Sequence, residues 1–294
     1  FRLTFDGRTV TDPAYMLDLL RSVLQAARDQ HMILDSCQVD LGHYGRQHRC
    51  VLRYTIDGHS ATTQEQSRQQ IYGKVAADGR GELVDQALTL LRQRLRLFHN
   101  GASFRIPNTL GYYPELNLIL LDAVPGQTQL SALLKGHVVA GALTLNQALT
   151  TAAHMAVRLH LSEIQLGRLR TLKSEVDDLQ EACQIARQLT PALALHLQEL
   201  VNRLKPYLAQ PALPYCFSHG DFTHTQLIFE ETVGGLVDFD TICQAEPALD
   251  LGQFTAYLRL AVAKATAAGT EAAEDAEQLC LYFLQTYGQT VGYA

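Results

Sequence analysis

The sequence predicts an α+β fold with two lobes: an N-terminal lobe with an antiparallel sheet and a helix, and a larger, mostly helical C-terminal lobe. Strand-like apolar segments dominate the first third of the 294 residues, and helical periodicity dominates the remainder. The character changes at Pro125-Gly126, so we expect the lobes to cover residues 1–123 and 124–294.

The N-terminal lobe is predicted to start with a helix and to continue with strands. Asp12-Pro13 fits an N-cap followed by the first helical residue, and apolar residues at helical spacing extend this helix to about residue 30. Strand patterns follow at residues 32–41, 49–56 and 71–77. A second helix is expected at about 82–97, and residues 107–126 predict two strands joined by a Tyr/Pro turn.

The C-terminal lobe is predicted to be helical except for one short hairpin. Helical periodicity covers residues 144–165, 170–208 and 251–285. Two short strands, at about 226–229 and 236–239, flank the sequence EETVGG, with Gly234-Gly235 near the turn.

Composition argues against nucleic-acid and membrane partners. The chain has 24 basic and 30 acidic residues, a net charge of −6, and no basic cluster of the kind that nucleic-acid binding requires. No apolar run approaches the roughly 20 residues of a membrane-spanning helix. Six scattered cysteines without a CxxC pair indicate free thiols in a reducing compartment. We expect a cytoplasmic protein, and a monomer or a homodimer.

The segment FSHGDFTHTQLIF, residues 217–229, places polar groups between apolar residues. His219 and Asp221 lie between phenylalanines, and a second apolar run follows Gln226. Buried polar groups are costly unless they are paired or functional. We interpret the segment as a catalytic loop held between two buried segments.

A second acidic group follows 17 residues after Asp221, where Asp238 and Asp240 end an apolar strand. The intervening segment is long enough for a hairpin, which would return Asp238 close to the loop that carries Asp221. Converging carboxylates are typical of sites for divalent metals and phosphates, because Mg²⁺ prefers oxygen ligands. The alternative is that both acids are turn residues.

Together the segments HGDFTHTQLIF and LVDFDTICQAEPALDLGQF resemble the signature motifs of aminoglycoside phosphotransferase-type small-molecule kinases, which share the protein-kinase-like fold. The resemblance implies that Asp221 is the catalytic residue and that Gln226 and Asp238 bind a metal. It also implies that Asp250 ties down the catalytic loop. With Gln253, Asp250 also fits a capping box at the start of a helix.

A weaker resemblance extends over most of the chain and implies ATP and Mg²⁺ as cofactors. IYGKVAAD resembles the strand that carries a phosphate-binding lysine, here Lys74, and a solvated edge-strand lysine is the alternative. An acid of the next helix should orient this lysine, and the candidates are Glu82 and Asp85.

The same resemblance implies a hinge and a set of supporting residues. IPNTLGYYPELNLILLDAVPGQTQL resembles the hinge of such kinases, so adenine is expected against the backbone of Asp122, Ala123 and Val124. His219 is expected to support the catalytic loop through hydrogen bonds, with a base role as the alternative. Asp240 is expected to be a supporting acid.

Two features depart from the family pattern. Gln226 stands where Asn is usual, which keeps the carbonyl ligand but adds a methylene. No GxGxxG motif stands near the N-terminus, and Gly42 and Gly45 of residues 41–48 either cover phosphates or belong to a plain hairpin turn. The acidic stretch 175–182 either recognises a cationic substrate or forms a solvated helix face.

The expected function is ATP- and Mg²⁺-dependent phosphorylation of a hydroxyl group on a small molecule, by direct in-line transfer. One alternative is a pseudokinase-like protein that binds nucleotide without transfer. Another is a metal-dependent hydrolase that uses His219, Asp221 and His224, and it would leave the motif at 238–250 unexplained.

Overall fold

The computed structural model describes residues 10–28, 32–45, 49–76, 78–97, 104–137, 143–267 and 275–292. These residues form eight α-helices and ten β-strands. The chain divides into two compact units: the first unit comprises residues 1–152 and 225–240, and the second comprises residues 153–224 and 241–294.

A five-stranded antiparallel sheet forms the centre of the first unit. Its strands are β1 (Met32–Gly45), β2 (Arg49–Ser60), β3 (Gln66–Ala76), β4 (Thr109–Tyr113) and β5 (Leu118–Asp122). Their order is β1-β2-β3-β5-β4, and every neighbouring pair is antiparallel. The antiparallel sheet predicted for the N-terminal lobe is therefore confirmed.

Helix α1 (Pro13–Arg28) packs against this sheet, and helix α2 (Arg80–Leu97) follows β3. The predicted N-cap is confirmed, because the Asp12 carboxylate accepts the N–H groups of Ala14 and Tyr15 at 2.9 and 3.3 Å. Apolar side chains of α1 share one buried cluster with strands β1 to β5. Burying one such side chain contributes roughly 1.5–3 kcal/mol, so packing rather than helix propensity stabilises α1.

Strands β1 and β2 stay paired up to the two ends of the segment at residues 41–48. The register pairs Tyr44 with Cys50 and Gly45 with Arg49, so Gly45 ends a paired strand. Both alternatives for this segment require this pairing of β1 with β2, and both stay predictions. Residues 46–48 lie outside the described residues, and a phosphate contact there stays a prediction.

The remaining helices lie mostly in the second unit. They are α3 (Leu130–Leu134), α4 (Leu145–His160), α5 (Leu172–Leu189), α6 (Pro191–Leu204), α7 (Ala248–Ala267) and α8 (Ala276–Val291). Only α3 and the first half of α4 belong to the first unit. The helix predicted at 170–208 is interrupted at Thr190, because Pro191 cannot donate a helical hydrogen bond and instead starts α6.

A small three-stranded sheet also lies in the second unit. Its strands are β6 (Arg168–Leu169), β7 (Cys216–Ser218) and β10 (Cys243–Ala245), in the order β6-β10-β7. Strand β7 leads directly into the loop at 219–226, and β10 follows the second acidic segment. The predicted catalytic loop therefore leaves the end of a buried strand.

The predicted hairpin consists of β8 (Leu227–Glu230) and β9 (Val233–Leu236), and it belongs to the first unit. Arg105 donates its N–H to the Gly234 carbonyl and accepts the Leu236 N–H, both at 2.9 Å. These backbone pairings join the hairpin to Arg105, and the first unit also runs to residue 152, so its bounds differ from the lobe boundary at residue 123, which stays a prediction.

The turn of this hairpin lies at Glu231-Thr232 and not at Gly234-Gly235, which are part of β9. Glu231 takes the left-handed conformation, with φ of +54°. Gly235 serves a different purpose, because a Cβ atom there would lie 2.6 Å from Cγ1 of Val124. Glycine at 235 therefore allows the hairpin to approach the end of β5 closely.

None of the helices in the described ranges is long and apolar enough to cross a membrane.

The six cysteines are free thiols, four of them buried, as the sequence predicts. Burial raises the pKa of Cys243 to about 11 and that of Cys216 to about 12. These two thiols are therefore protonated and poorly nucleophilic at neutral pH.

Candidate active site

Lys74 on β3 is the centre of a charged cluster in the first unit. Its Nζ lies 2.5 Å from Oδ1 of Asp238 and 2.8 Å from Oδ1 of Asp240. The Lys74 side chain is 17% exposed, compared with 42% for Asp238 and 25% for Asp240. One ammonium group thus pairs with two carboxylates, and of the three side chains the lysine is the most shielded from water.

Strand alternation explains how an apolar strand presents a lysine. Ile71 and Val75 of β3 are buried on one side of the strand. Because successive side chains of a strand alternate, Lys74 points to the other side. Burial lowers the pKa of Lys74, but the charges and hydrogen bonds of Asp240 and Asp238 outweigh this effect and raise the pKa above its ordinary value. The lysine is therefore charged at neutral pH.

A pocket of about 30 Å³ opens beside this cluster, with Lys74, Arg80 and Asp240 among its lining residues and apolar side chains around them. Arg80, the first residue of α2, donates from Nη1 to the Asp240 carbonyl at 3.3 Å. Its Nη2 lies 2.9 Å from Oδ2 of Asp78. Helix α2 thus begins in contact with the segment that carries the two acids.

The prediction that Glu82 or Asp85 pairs with Lys74 is wrong for this structure. Glu82 is exposed and accepts a long hydrogen bond, 3.5 Å, from Gln86. Asp85 accepts the hydroxyl of Thr109 on β4. Within the described residues, the carboxylates that pair with Lys74 come from the segment after β9 rather than from α2.

The β8–β9 hairpin returns Asp238 beside Gln226. The Val237 N–H donates to the Gln226 carbonyl at 3.1 Å, and Nε2 of Gln226 lies 3.5 Å from Oδ2 of Asp238. Asp238 takes a left-handed backbone conformation with φ of +68°, which aspartate tolerates better than most residues. An amide and a carboxylate converge here, and both supply the oxygen ligands that Mg²⁺ prefers, so these two residues fit that ion.

The predicted hinge residues continue from the end of β5. The Asp122 N–H donates to the Asn108 carbonyl at 2.8 Å, and the Ala123 N–H donates to the Gln70 carbonyl at 3.4 Å. Val124 is half-buried. Neighbouring segments of the first unit therefore fix the hinge backbone, and an adenine contact there stays a prediction.

In the second unit, Asp250 holds the backbone of the predicted catalytic loop. This fully buried carboxylate accepts the N–H of His219 at 2.8 Å and the N–H of Gly220 at 2.9 Å. Nε2 of His160 lies 3.3 Å from the same carboxylate, and Nδ1 of His160 lies 2.8 Å from the Tyr287 hydroxyl. A buried network from three helices therefore ends on the loop, as expected for Asp250.

Two further side chains bind the Gly220 carbonyl. Nε2 of Gln253 donates to it at 3.0 Å, and Nη1 of Arg170 donates to it at 3.1 Å. Arg170 is itself held by Glu175 through two contacts of 2.7 and 2.8 Å. The half-buried Asp221 therefore follows a residue whose N–H and carbonyl are both fixed.

The capping box predicted for Asp250 and Gln253 is not formed. Helix α7 starts at Ala248, so Asp250 lies inside its first turn, and both side chains bind the loop instead. The same three-residue spacing that fits a capping box also places two side chains on neighbouring positions of one helical turn.

The acidic stretch 175–182 behaves as a helix face with local partners. Glu175 pairs with Arg170, and the exposed Asp177 pairs with Lys173 at 2.6 Å, four residues away on α5. These contacts favour the solvated-face interpretation over a role in recognising a cationic substrate.

The hydrolase alternative lacks the metal cluster that it requires. In the part of the chain that the structure describes, no group of three or more His, Cys, Asp or Glu side chains is arranged to hold a metal ion. The rings of His219 and His224 pack instead near Phe222 and Tyr257, with centroid distances of 6.1 and 6.3 Å.

Sequence reasoning missed three residues around the predicted site: Arg80, which bonds to Asp240, Arg170, which bonds to Gly220, and Tyr287, which bonds to His160. Arg80 is the first residue of its helix, and a cation at that end is unusual because the helix dipole disfavours it, so this position carried a signal. The positions of Arg170 and Tyr287 carried no such signal, because their partners are distant in the sequence. Gly220 lies 50 residues from Arg170, and His160 lies 127 residues from Tyr287.

Comparison with known proteins agrees with the motifs. A family model described as the phosphotransferase enzyme family matches residues 85–282. No curated protein matches the chain. Among solved structures, the streptomycin–ATP–APH(2")-IIa ternary complex is 14% identical, with a TM-score of 0.50, over 94% of this chain and 86% of the other. The choline kinase LicA from Streptococcus pneumoniae is 13% identical, with a TM-score of 0.51, over 95% and 92%.

These similarities identify the fold and the family. The structural matches confirm the α+β, protein-kinase-like fold that the sequence predicts. The family model covers more than half of the 294 residues, including both signature motifs. The chain therefore belongs to the phosphotransferase enzyme family.

Proposed function

We propose that this phosphotransferase moves the γ-phosphoryl group of ATP, bound with Mg²⁺, to a hydroxyl group of a small molecule. The observation that carries the proposal is the cluster of Lys74 with Asp238 and Asp240, next to Gln226. A charged lysine beside two carboxylates and an amide supplies both a cation for phosphate oxygens and oxygen ligands for a metal.

Each residue has a separate part in this proposal. Lys74 binds phosphate oxygens as a point charge, and Asp238 and Gln226 would hold the metal. Bound Mg²⁺ supplies charge neutralisation for the phosphates. The oxygen of the acceptor hydroxyl bonds to the γ-phosphorus, and Asp221 accepts the proton of that hydroxyl. The bond from the γ-phosphorus to the leaving oxygen breaks and releases ADP. Asp250 keeps the loop backbone in place for this step.

The acceptor is a hydroxylated small molecule. One similar structure is a complex with streptomycin and another is a choline kinase, so amino sugars and amino alcohols are the first acceptors to test. We also expect the enzyme to act in the cytoplasm, as a monomer or a homodimer.

The test is incubation with Mg-ATP and a panel of such acceptors, with ADP release and phosphorylated product as the measurements. Asp221→Asn should abolish most turnover while the affinity for Mg-ATP stays within about threefold, because the base does not hold the nucleotide. Asp238→Asn should also weaken the metal-dependent part of ATP binding.

Two outcomes contradict the proposal. If both variants keep the wild-type rate, the two motifs do not carry the transfer. If wild-type protein binds ATP but phosphorylates nothing in a broad panel, the pseudokinase-like alternative is favoured instead.

A further inference from the structure

We infer that Asp240, and not an acid of α2, is the carboxylate that orients Lys74, and that Arg80 holds the Asp240 segment in position. The inference rests on the proposed function, because it concerns the lysine proposed to bind the phosphates of ATP. It replaces the prediction for Glu82 or Asp85 with residues that the structure brings together.

The two acids that contact Lys74 differ in their surroundings. Asp238 is the more exposed, at 42%, and its second oxygen lies 3.5 Å from Gln226, the other proposed metal ligand. Asp240 is 25% exposed and shares the pocket of Lys74 and Arg80. When Asp238 binds a metal, its oxygens are shared with that cation, and Asp240 remains as the partner of Lys74.

Arg80 supports Asp240 through the backbone. Its Nη1 donates to the Asp240 carbonyl at 3.3 Å, and Asp78 holds the same guanidinium at 2.9 Å. Because the bond is to a carbonyl, it fixes the position of the chain at 240 and leaves the Asp240 carboxylate available for Lys74. Arg80 is therefore a positioning residue.

Helix α2 is thus linked to Lys74 through Arg80 and Asp240, and not through Glu82 or Asp85. Its two acids have other partners, Gln86 for Glu82 and Thr109 for Asp85. Its first residue, Arg80, contacts the segment that contains Asp240.

The experiment measures the affinities for ATP and for adenosine by calorimetry, each with Mg²⁺, and compares their ratio among variants. In Asp240→Asn, Lys74 keeps only Asp238, where it competes with the metal. We expect the ratio of ATP to adenosine affinity to fall about tenfold. Glu82→Gln and Asp85→Asn should lower it by less. Asp40→Asn is the matched control, because it removes a partly exposed acid that pairs with Arg53 in the same sheet.

The Arg80 variants test the second half of the inference. Arg80→Gln should lower the ratio in the same direction, and Arg80→Lys, which retains a donor, should restore part of it. Combined with Asp240→Asn, Arg80→Gln should add little, because residues of one network are not additive. Arg53→Gln is the matched control.

The outcomes separate this inference from the proposed function. If wild-type protein binds ATP no more tightly than adenosine, the proposed phosphate-binding role fails. If wild type prefers ATP but Glu82→Gln or Asp85→Asn lowers the ratio as much as Asp240→Asn, the inference alone is overturned. A fully additive Arg80→Gln effect would overturn the role of Arg80. Should Asp240→Asn not fold, Asp240→Glu and the Arg80 variants decide the question.

Discussion

Oδ1 of Asp250 accepts the backbone N–H of Gly220 at 2.9 Å, inside the second unit and fully away from water. Burial raises the pKa of Asp250, but the hydrogen bond and charge of His160, the charge of His219 and the Gly220 N–H lower it by more. The folded-state pKa therefore lies below the ordinary value, and the carboxylate is ionised where it binds the loop.

Asp250→Asn should destabilise the protein by about 3 kcal/mol, because an amide cannot accept both loop N–H groups and leaves a buried donor without its partner. Urea unfolding at neutral pH measures the loss. Asp178→Asn, an exposed acid of α5, is the matched control and should change stability by less than about 0.5 kcal/mol. Equal stability of the two variants would show that Asp250 does not hold the loop.

The stabilisation by Asp250 should depend on pH with a defined sign. Its folded-state pKa is lowered, so its contribution is complete above the ordinary pKa, roughly 3.9, and is lost as pH falls through the lower folded-state value. Below about pH 4, wild type should therefore lose more stability per pH unit than Asp250→Asn. Parallel stability curves for the two proteins in that range would contradict the assignment.

Gly220→Ala should disrupt the catalytic loop. Gly220 has φ of +78°, and a Cβ there would lie 2.1 Å from the Thr241 carbonyl oxygen, too close for any real contact. We expect a loss of at least about 3 kcal/mol in urea unfolding, together with loss of turnover. Gly252→Ala is the control, because a Cβ there meets nothing within 4 Å and the helix should gain about 1 kcal/mol. A stable, active Gly220→Ala protein would refute this account.

The sequence predicts well those elements whose own residues determine them. The start of α1 follows from Asp12 and Pro13, and the β4–β5 pair follows from two apolar runs around a Tyr/Pro turn. The approach of Asp238 to Gln226 was also accessible, because the two residues lie at the two ends of one predicted short hairpin, and their metal role stays a prediction from the family resemblance.

The partner of Lys74 could not be predicted in the same way. Asp240 lies 166 residues from Lys74, and their contact depends on backbone pairing of the β8–β9 hairpin with Arg105 and Gln127. Family resemblance pointed to an acid of α2, where Glu82 is exposed and Asp85 binds Thr109. Local pattern identified the charged residues of the site, and tertiary packing decided which of them pair.

Lys74→Ala should weaken the binding of ATP and strengthen the binding of Mn²⁺. Without the ammonium group, ATP affinity should fall about tenfold or more while adenosine affinity changes little, because only ATP presents phosphate charge. In the absence of nucleotide, Mn²⁺ should bind about tenfold more tightly, because the cation no longer competes with Lys74 for Asp238.

Calorimetry with ATP and adenosine, and Mn²⁺ titration followed by electron paramagnetic resonance, measure the two effects of Lys74→Ala. The control is Lys173→Ala, an exposed lysine of α5 whose ion pair with Asp177 lies on the helix surface. Equal losses for ATP and adenosine would remove Lys74 from the phosphate site. Weaker Mn²⁺ binding would show that the lysine does not compete with the metal.

Gln226 provides the final prediction, because it stands where the family usually has Asn. Its Nε2 lies 3.5 Å from Oδ2 of Asp238, so the side chain reaches the second proposed ligand from the start of β8. Mg²⁺ requires near-octahedral geometry at about 2.0–2.1 Å, so ligand reach matters. Gln226→Ala should lower the rate of phosphoryl transfer and raise the Mg²⁺ concentration for half-maximal rate about tenfold.

Gln226→Asn should also be impaired, because the shorter side chain starts from a backbone position that suits glutamine. The Val237 N–H holds the Gln226 carbonyl at 3.1 Å, so this backbone cannot move toward the metal without losing a hydrogen bond of the hairpin. Transfer rate measured against Mg²⁺ concentration for wild type and both variants decides the matter. An alanine variant with unchanged metal dependence would exclude Gln226 from the site. An asparagine variant faster than wild type would show that the backbone has not adapted to the longer side chain.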